Sequence, residues 1–188
     1  MNRKEALAYN EYLKNELDKI GVECGNDENV GNYVVDHYIE IFPEDPRKGI
    51  IFLGDRTVSC KPGNIKVNLK KTLSEGIEFL ISLNKPESTF NYIQLILNTI
   101  IFIGKITTVE ISEIEVYVVQ VLHSLGKYDV RIEEEKLISK VIEVYKDREG
   151  GILEKRKVLE AIDNLCKMKT LEMEDGSVYL NETIWLIK

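Results

Sequence analysis

The amino-acid sequence predicts an α+β fold, with a small N-terminal β-meander and its helices followed by a second unit of helices and a hairpin. Apolar residues that alternate with a period of two, separated by Gly and Pro turns, fall between residues 33 and 69. Apolar residues at helical spacing occupy most of the remaining chain. With 188 residues, 44% of them hydrophobic, the chain is long enough to bury a substantial core.

The first unit, residues 1–106, is predicted to open with an amphipathic helix. Apolar residues at helical spacing over residues 5–20 indicate this helix, and Gly21 is its expected end. The alternating pattern of residues 33–42 then predicts a strand, on whose apolar face His37 would lie. We therefore interpret His37 as a structural histidine rather than as a general base.

The rest of the first unit is predicted to contain three more strands and two helices. The strands are expected at residues 49–53, 56–60 and 65–69, with Gly54-Asp55 as the turn between the first two. Thr72 and Glu75 form a capping-box pattern, which predicts the start of a helix that ends near Asn84. The apolar stretch from Phe90 to Gly104 predicts a buried helix, because it is shorter than the roughly 20 residues of a membrane span.

The second unit, residues 107–188, contains the clearest local signals. Ser112 and Glu115 form a second capping box, which predicts a helix from there to Leu125. A short strand is expected at residues 130–132 and a helix at residues 133–146. The stretch from residue 152 to residue 180 then predicts a third helix, a strand, a type I′ turn at Asp175-Gly176 and a second strand.

This order of helix, short strand, helix, turn, helix and hairpin resembles the winged-helix superfamily over roughly residues 108–188, and residues 158–180 look like its usual ending. Where the superfamily commonly has a glycine between the third helix and the hairpin, this chain has Lys169-Thr170. In DNA-binding winged helices the third helix enters the major groove and the wing touches the phosphate backbone. The resemblance therefore implies a set of candidate nucleic-acid contacts, namely Lys155, Arg156 and Lys157.

The charge of the second unit is unfavourable for binding a polyanion. From residue 107 to residue 188 there are 17 acidic and 12 basic residues, a net charge of −5, and the hairpin tip reads Glu172-Met173-Glu174-Asp175. Phosphate contacts supply most of the non-specific affinity for DNA, so DNA would be repelled by such a surface. The acidic chain instead favours a protein partner, and a basic one in particular.

One window of the sequence has the opposite charge. Residues 47–71 have a net charge of about +6 in a chain whose net charge is −7, and such an imbalance often marks an interaction surface. The partner-binding set that we predict from it is Arg56, Lys61, Lys66, Lys70 and Lys71. The alternative is that lysines protect a sheet edge from pairing with another strand, which would account for Lys61 and Lys66.

No motif in the sequence predicts catalysis, a cofactor or a metal site. His37 and His123 lie within apolar patterns, and the three cysteines, Cys24, Cys60 and Cys166, lack a nucleophile signature and a metal-ligand spacing. The glycines form no phosphate-binding loop. The odd number of cysteines, and an N-terminus without the apolar core of a signal peptide, predict a reduced cytoplasmic protein.

These observations together predict a non-catalytic cytoplasmic protein-binding module, such as an inhibitor, an immunity-type protein or an adaptor. Neither a cofactor nor a membrane is expected among its partners. The alternative is a winged-helix transcriptional regulator that binds nucleic acid through the candidate contacts of its third helix or through the basic window.

Overall fold

The computed structural model describes residues 2–43, 50–53, 56–59, 63–82, 88–125 and 131–187, and only the backbone of residues 50–53, 56–59, 80–82 and 88. These residues form an α+β fold, as the sequence predicts, with seven helices and eight strands. In chain order they are α1 (Arg3–Glu23), α2 (Val30–Tyr38), β1 (Ile39–Ile41), β2 (Ile50–Leu53), β3 (Arg56–Ser59), β4 (Ile65–Val67), α3 (Leu69–Ser82), α4 (Ser88–Gly104), α5 (Glu113–Ser124), β5 (Ile132–Glu133), α6 (Glu134–Glu149), α7 (Lys155–Lys167), β6 (Leu171–Glu174), β7 (Ser177–Leu180) and β8 (Ile184–Leu186).

The strands of the described chain form three small antiparallel sheets. Their orders are β1-β4-β8, β2-β3 and β5-β7-β6. In the first sheet Val67 of the central strand lies opposite Ile39 on one side and opposite Ile184 on the other. Since β8 is the last element of the second predicted unit, this sheet contains strands from both predicted units. The predicted division at residue 107 itself falls in the loop between α4 and α5.

The prediction of a strand over residues 33–42 is wrong for most of that range. Residues 30–38 form helix α2, and only Ile39–Ile41 forms a strand. The buried residues Val34, Val35 and Tyr38 fit a helical spacing as well as an alternating one. Two contacts with α1 favour the helix. A Cβ at Gly31 would collide with the backbone of Leu17, and Asp18 accepts a hydrogen bond of 2.8 Å from the backbone N–H of Asn32, near the start of α2.

Two predicted helix boundaries also differ from the structure. Helix α1 does not end at Gly21, which is buried within it, but continues to Glu23. Helix α3 begins at Leu69, so Leu69 does not extend the strand and Thr72 is not a cap. The hydroxyl of Thr72 instead donates a hydrogen bond of 2.7 Å to the carbonyl oxygen of Asn68, the residue directly before the helix.

The second half of the chain follows its prediction from α5 to the β6-β7 hairpin, although α6 continues to Glu149 instead of ending at residue 146, and β8 is not among the predicted strands. The capping box of Ser112 and Glu115 begins α5, and Gly150, with φ of 68°, ends α6. The β6-β7 hairpin turns at Asp175 and Gly176, whose φ values of 50° and 71° fit the predicted type I′ turn. Between α7 and β6, Lys169 adopts the left-handed conformation with φ of 59°.

One hydrophobic cluster extends through both halves of the described chain. Helix α4 contributes fully buried residues such as Ile93 and Ile100, while Val118 and Ile162 contribute from α5 and α7. The buried position predicted for α4 is therefore confirmed. None of the helices in the described ranges combines the length and the apolar character needed to cross a membrane.

Candidate protein-binding surface

The predicted basic set is only partly covered by the described structure. Lys61 lies outside the described residues, and Arg56 lies in β3, where only the backbone is described. Of the other three, Lys66 lies in β4, and Lys70 and Lys71 lie in the first turn of α3. Lys71 forms an i,i+4 ion pair of 3.7 Å with Glu75, and the backbone N–H of Lys70 donates to the carbonyl oxygen of Glu182.

Lys66 has a structural partner across the sheet. It lies on the central strand directly opposite Glu40, and its Nζ is 2.8 Å from Glu40 Oε1. The hydrogen bond from Lys66, and after it the one from Asn68, lower the pKa of Glu40. Because β4 is paired on both sides, protection of a free sheet edge does not explain Lys66.

Exposed apolar side chains lie on the same side of this sheet as Lys66. The inner face consists of Ile39, Ile65, Val67, Ile184 and Leu186, all of them buried. By alternation, Trp185 lies beside Lys66 on the outer face, and Phe42 and Ile187 lie one row further along. The rings of Phe42 and Trp185 are in contact, with centroids 5.7 Å apart.

We call the outer-face residues Phe42, Lys66, Trp185 and Ile187 the aromatic face. Phe42 is 40% exposed and Ile187 is 71% exposed, whereas Trp185 is half-buried. The sequence prediction included Lys66 but missed the three apolar members. The apolar run Ile184-Trp185-Leu186-Ile187 was a usable signal, since a strand with one polar face would alternate.

The outer surface of α7 has a different composition, because acidic residues accompany its cations. The ion pairs are Lys155–Glu135 at 2.6 Å, Arg156–Glu160 at 3.5 Å and Lys167–Asp163 at 2.7 Å. The side chains of all six residues are more than half exposed. Two of the three cations that the sequence analysis proposed as nucleic-acid contacts are therefore engaged by carboxylates.

The β6-β7 hairpin continues this mixed and mainly acidic surface. Arg131 forms an ion pair with Glu174, and its guanidinium lies 5.2 Å from the ring centroid of Tyr179. The hydroxyl of Tyr179 donates a hydrogen bond of 2.7 Å to Glu172, which raises the pKa of Tyr179. Arg131 is thus bound by side chains of the hairpin itself.

A buried carboxylate fixes α7 against α5. Glu115 is almost completely buried, and it accepts hydrogen bonds from the hydroxyl and the backbone N–H of Ser112, the latter at 3.0 Å. Its other oxygen accepts from Asn164 Nδ2 at 2.9 Å. The bond joins residues that are 49 positions apart, so no local sequence pattern predicts it, and it anchors Asn164 of α7 to α5.

The histidines and cysteines form no evident catalytic arrangement in the described residues. His37 is exposed on helix α2, stacked on Tyr33 with ring centroids 4.1 Å apart, so its predicted place on an apolar strand face is wrong. Burial lowers the pKa of His123 and raises the pKa of the free thiols Cys24 and Cys166. Cys60 lies outside the described residues.

No group of three or more metal-ligating side chains occurs within the part of the chain that the structure describes. Comparison of the chain with protein-family models, with curated proteins and with solved structures found no match. The surfaces described above are therefore the basis for inferring function.

Proposed function

We propose that this protein is a non-catalytic protein-binding module that contacts its partner through the aromatic face. The observation that supports this most strongly is the exposed contact of Phe42 with Trp185 beside Ile187. Aromatic residues that become desolvated at the centre of an interface contribute most of its binding energy. Lys66, held in place by Glu40, would contribute a polar rim to the same face.

The proposed location is the cytoplasm, where an inhibitor, an immunity-type protein or an adaptor would meet its partner. Support comes from Cys24 and Cys166, which are free thiols in the structure and partly buried. Unpaired cysteines are typical of reducing compartments.

For residues 113–180 we further propose a winged helix. The support is the element order from α5 to β7, together with a sheet in which β7 lies between β5 and β6. Lys169 adopts at this junction the left-handed conformation that a glycine commonly supplies in the superfamily. The ion-paired cations of α7 favour protein binding over DNA binding for this unit, because phosphates would have to displace Glu135 and Glu160.

Capture of partners from an extract of the native cell tests this proposal, with nuclease-treated and untreated samples compared. The wild type and the double variant Phe42→Asp/Ile187→Asp would be used as baits. A matched control is Ile152→Asp, since Ile152 is 97% exposed and lies in the loop between α6 and α7, outside the sheet that forms the aromatic face.

We expect one protein to be captured by the wild type and by the Ile152 variant, regardless of nuclease, and to be lost with the double variant. Retention of that protein by the double variant would refute the aromatic face as the binding surface. Loss of the captured protein after nuclease treatment would instead favour the nucleic-acid-binding alternative.

A further inference from the structure

Strand β8 is an outer strand of its sheet, with β4 on one side only. The carbonyl oxygens of Glu182 and Leu186 accept hydrogen bonds of 3.1 Å and 3.0 Å from the backbone N–H groups of Lys70 and Asn64, which flank β4 in the chain. Backbone groups of successive residues in a strand point to alternate sides. The N–H and C=O of Trp185 therefore point away from β4, where no strand of the described ranges pairs with them.

This edge lacks the usual protection against pairing with a further strand. Edge strands normally carry charged residues or proline, which discourage another strand from adding. In β1, the other outer strand of the same sheet, Glu40 lies within the strand and Pro43 follows it. The outer strand β6 of the hairpin sheet contains Glu172 and Glu174. Residues 183–187 contain no charged residue, glycine or proline.

The sequence around Trp185 is complementary to itself in antiparallel pairing. When two copies of β8 pair about a two-fold axis at Trp185, Thr183 of each lies opposite Ile187 of the other, and both residue types favour strands. Glu182 precedes Trp185 by three positions, and Lys188, which lies outside the described residues, follows it by three. This register therefore sets an acidic position against a basic one at each end, and no like charges oppose each other.

We propose that this protein forms a symmetric dimer in which β8 of one protomer pairs antiparallel with β8 of a second copy. The backbone N–H and C=O of Trp185 would exchange hydrogen bonds with the same groups of the second copy. The two indole rings would lie next to each other on the outer face as a cross-strand aromatic pair. The two three-stranded sheets would form one continuous sheet, with both aromatic faces on the same side. The dimer would thus offer a binding partner two copies of the aromatic face.

The purified chain at increasing concentration provides the first test. An interface of one short strand per copy is small, so the dimer should be weak and its population should rise with concentration, as measured by sedimentation velocity. Trp185 is the single tryptophan of the chain, so its fluorescence reports on this contact. Its emission should shift to shorter wavelength over the same concentration range. A chain that stays monomeric up to about 1 mM would overturn the proposal.

A pair of charged variants tests the register. Trp185→Lys would place two ammonium groups opposite each other at the axis, and Trp185→Glu would place two carboxylates there. Each variant alone should dimerise at least about tenfold more weakly than the wild type. An equal mixture of the two should associate again, because opposite charges would then face each other, and circular dichroism verifies that both are folded. A mixture that associates no better than either variant alone would overturn a pairing centred on Trp185.

Substitutions at Ile187 separate pairing through the backbone from contact through side chains. Ile187→Pro and Ile187→Ala both remove the isoleucine side chain, but only proline also removes the N–H that points away from β4. Proline is tolerated in an edge strand at such a position, so the bonds between β8 and β4 should remain. The proline variant should dimerise at least about tenfold more weakly than the alanine variant. Equal dimerisation of the two would contradict strand pairing.

The dimer and the proposed function have separate tests. Sedimentation uses the purified chain alone, whereas capture from the cell extract tests the aromatic face, so either result stands without the other. A monomeric chain whose capture of a protein is lost with Ile187→Pro but kept with Ile187→Ala would show that a strand of another protein adds to β8. That outcome would overturn the second copy as the occupant of this edge.

Discussion

The aromatic face and the outer surface of α7 with its hairpin are both exposed, yet their chemistry differs. On the aromatic face, Phe42, Trp185 and Ile187 lie beside a single ion pair, Lys66–Glu40. On α7 the exposed side chains are mainly charged and paired with opposite charges. Covering apolar surface gains about 25 cal/mol per Å², whereas exposed ion pairs contribute little and must be desolvated on binding. The more highly charged surface is therefore not the one that offers more binding energy.

Residues that fix α7 should affect the stability of the protein, whereas residues of the aromatic face should affect binding. The largest expected effect is a loss of stability. Replacing Glu115 with Ala removes the capping box of α5 and leaves the Asn164 amide without its acceptor. We expect a loss of about 3 kcal/mol in the free energy of unfolding, measured by urea denaturation. The control is Glu113→Ala, an exposed acid in the same turn. Equal losses for both variants would mean that Glu115 does not anchor α7.

A smaller loss is expected from the hairpin turn. Gly176 has φ of 71°, a conformation that β-branched residues rarely adopt, so Gly176→Val should cost about 1–3 kcal/mol. Gly176→Asn should cost much less, because Asn tolerates the left-handed region. Thermal unfolding of the two variants measures the difference. A Val variant as stable as the Asn variant would contradict the type I′ turn. As long as the protein is folded, both variants should still capture the partner through the aromatic face.

The second half of the chain could be predicted because its signals are local. The capping box of Ser112 with Glu115 and the Asp175-Gly176 turn each depend on residues within one turn of each other. Helix α2 could not be predicted in this way, because the backbone N–H of Asn32 near its N-terminus is bonded by Asp18 from another helix. Long-range contacts of this kind override the local pattern.

The candidate site was harder to predict than the fold, for the same reason. Lys66 was recognised from the charge of its window, but its pairing with Glu40 depends on the β1-β4 register. Phe42 and Trp185 lie near opposite ends of the chain and meet only because β8 adds to β4. No pattern within one segment of sequence contains that pairing.

The ion pair on the aromatic face should have a small, measurable coupling energy. Lys66→Glu places two carboxylates opposite each other, and Glu40→Lys does the same with two ammonium groups. The double exchange Glu40→Lys/Lys66→Glu should recover most of the stability lost in each single variant, with a coupling of about 0.2–1 kcal/mol. A double-mutant cycle by urea denaturation gives this value, and strictly additive effects would mean that the pair is not formed.

His123 should make stability fall slightly on acidification. Burial lowers its folded pKa below the ordinary value of 6.5, so the unfolded chain binds the proton first. The stability contributed by neutral His123 is thus present above about pH 6.5 and is lost as the pH falls through the folded pKa. An NMR titration of the ring should give a pKa below 6.5, and His123→Gln should weaken the acid dependence. A measured pKa at or above 6.5 would contradict this assignment.

The smallest effect is expected for DNA. With Lys155 and Arg156 paired to carboxylates, we expect no appreciable binding of duplex DNA near physiological salt, measured by fluorescence anisotropy. Changing Lys155, Arg156 and Lys157 together to Ala should then leave the signal unchanged. Micromolar or tighter binding that this triple variant weakens would instead favour a winged-helix regulator.

The most direct test of the aromatic face is the affinity of the purified captured protein, measured by isothermal titration calorimetry. Phe42→Ala/Ile187→Ala should weaken binding by about 30-fold or more, which corresponds to the roughly 2 kcal/mol that defines an interface hot spot. Ile152→Ala should bind as the wild type does, although Ile152 is the more exposed residue. Affinities that are equal for all three proteins would contradict the account.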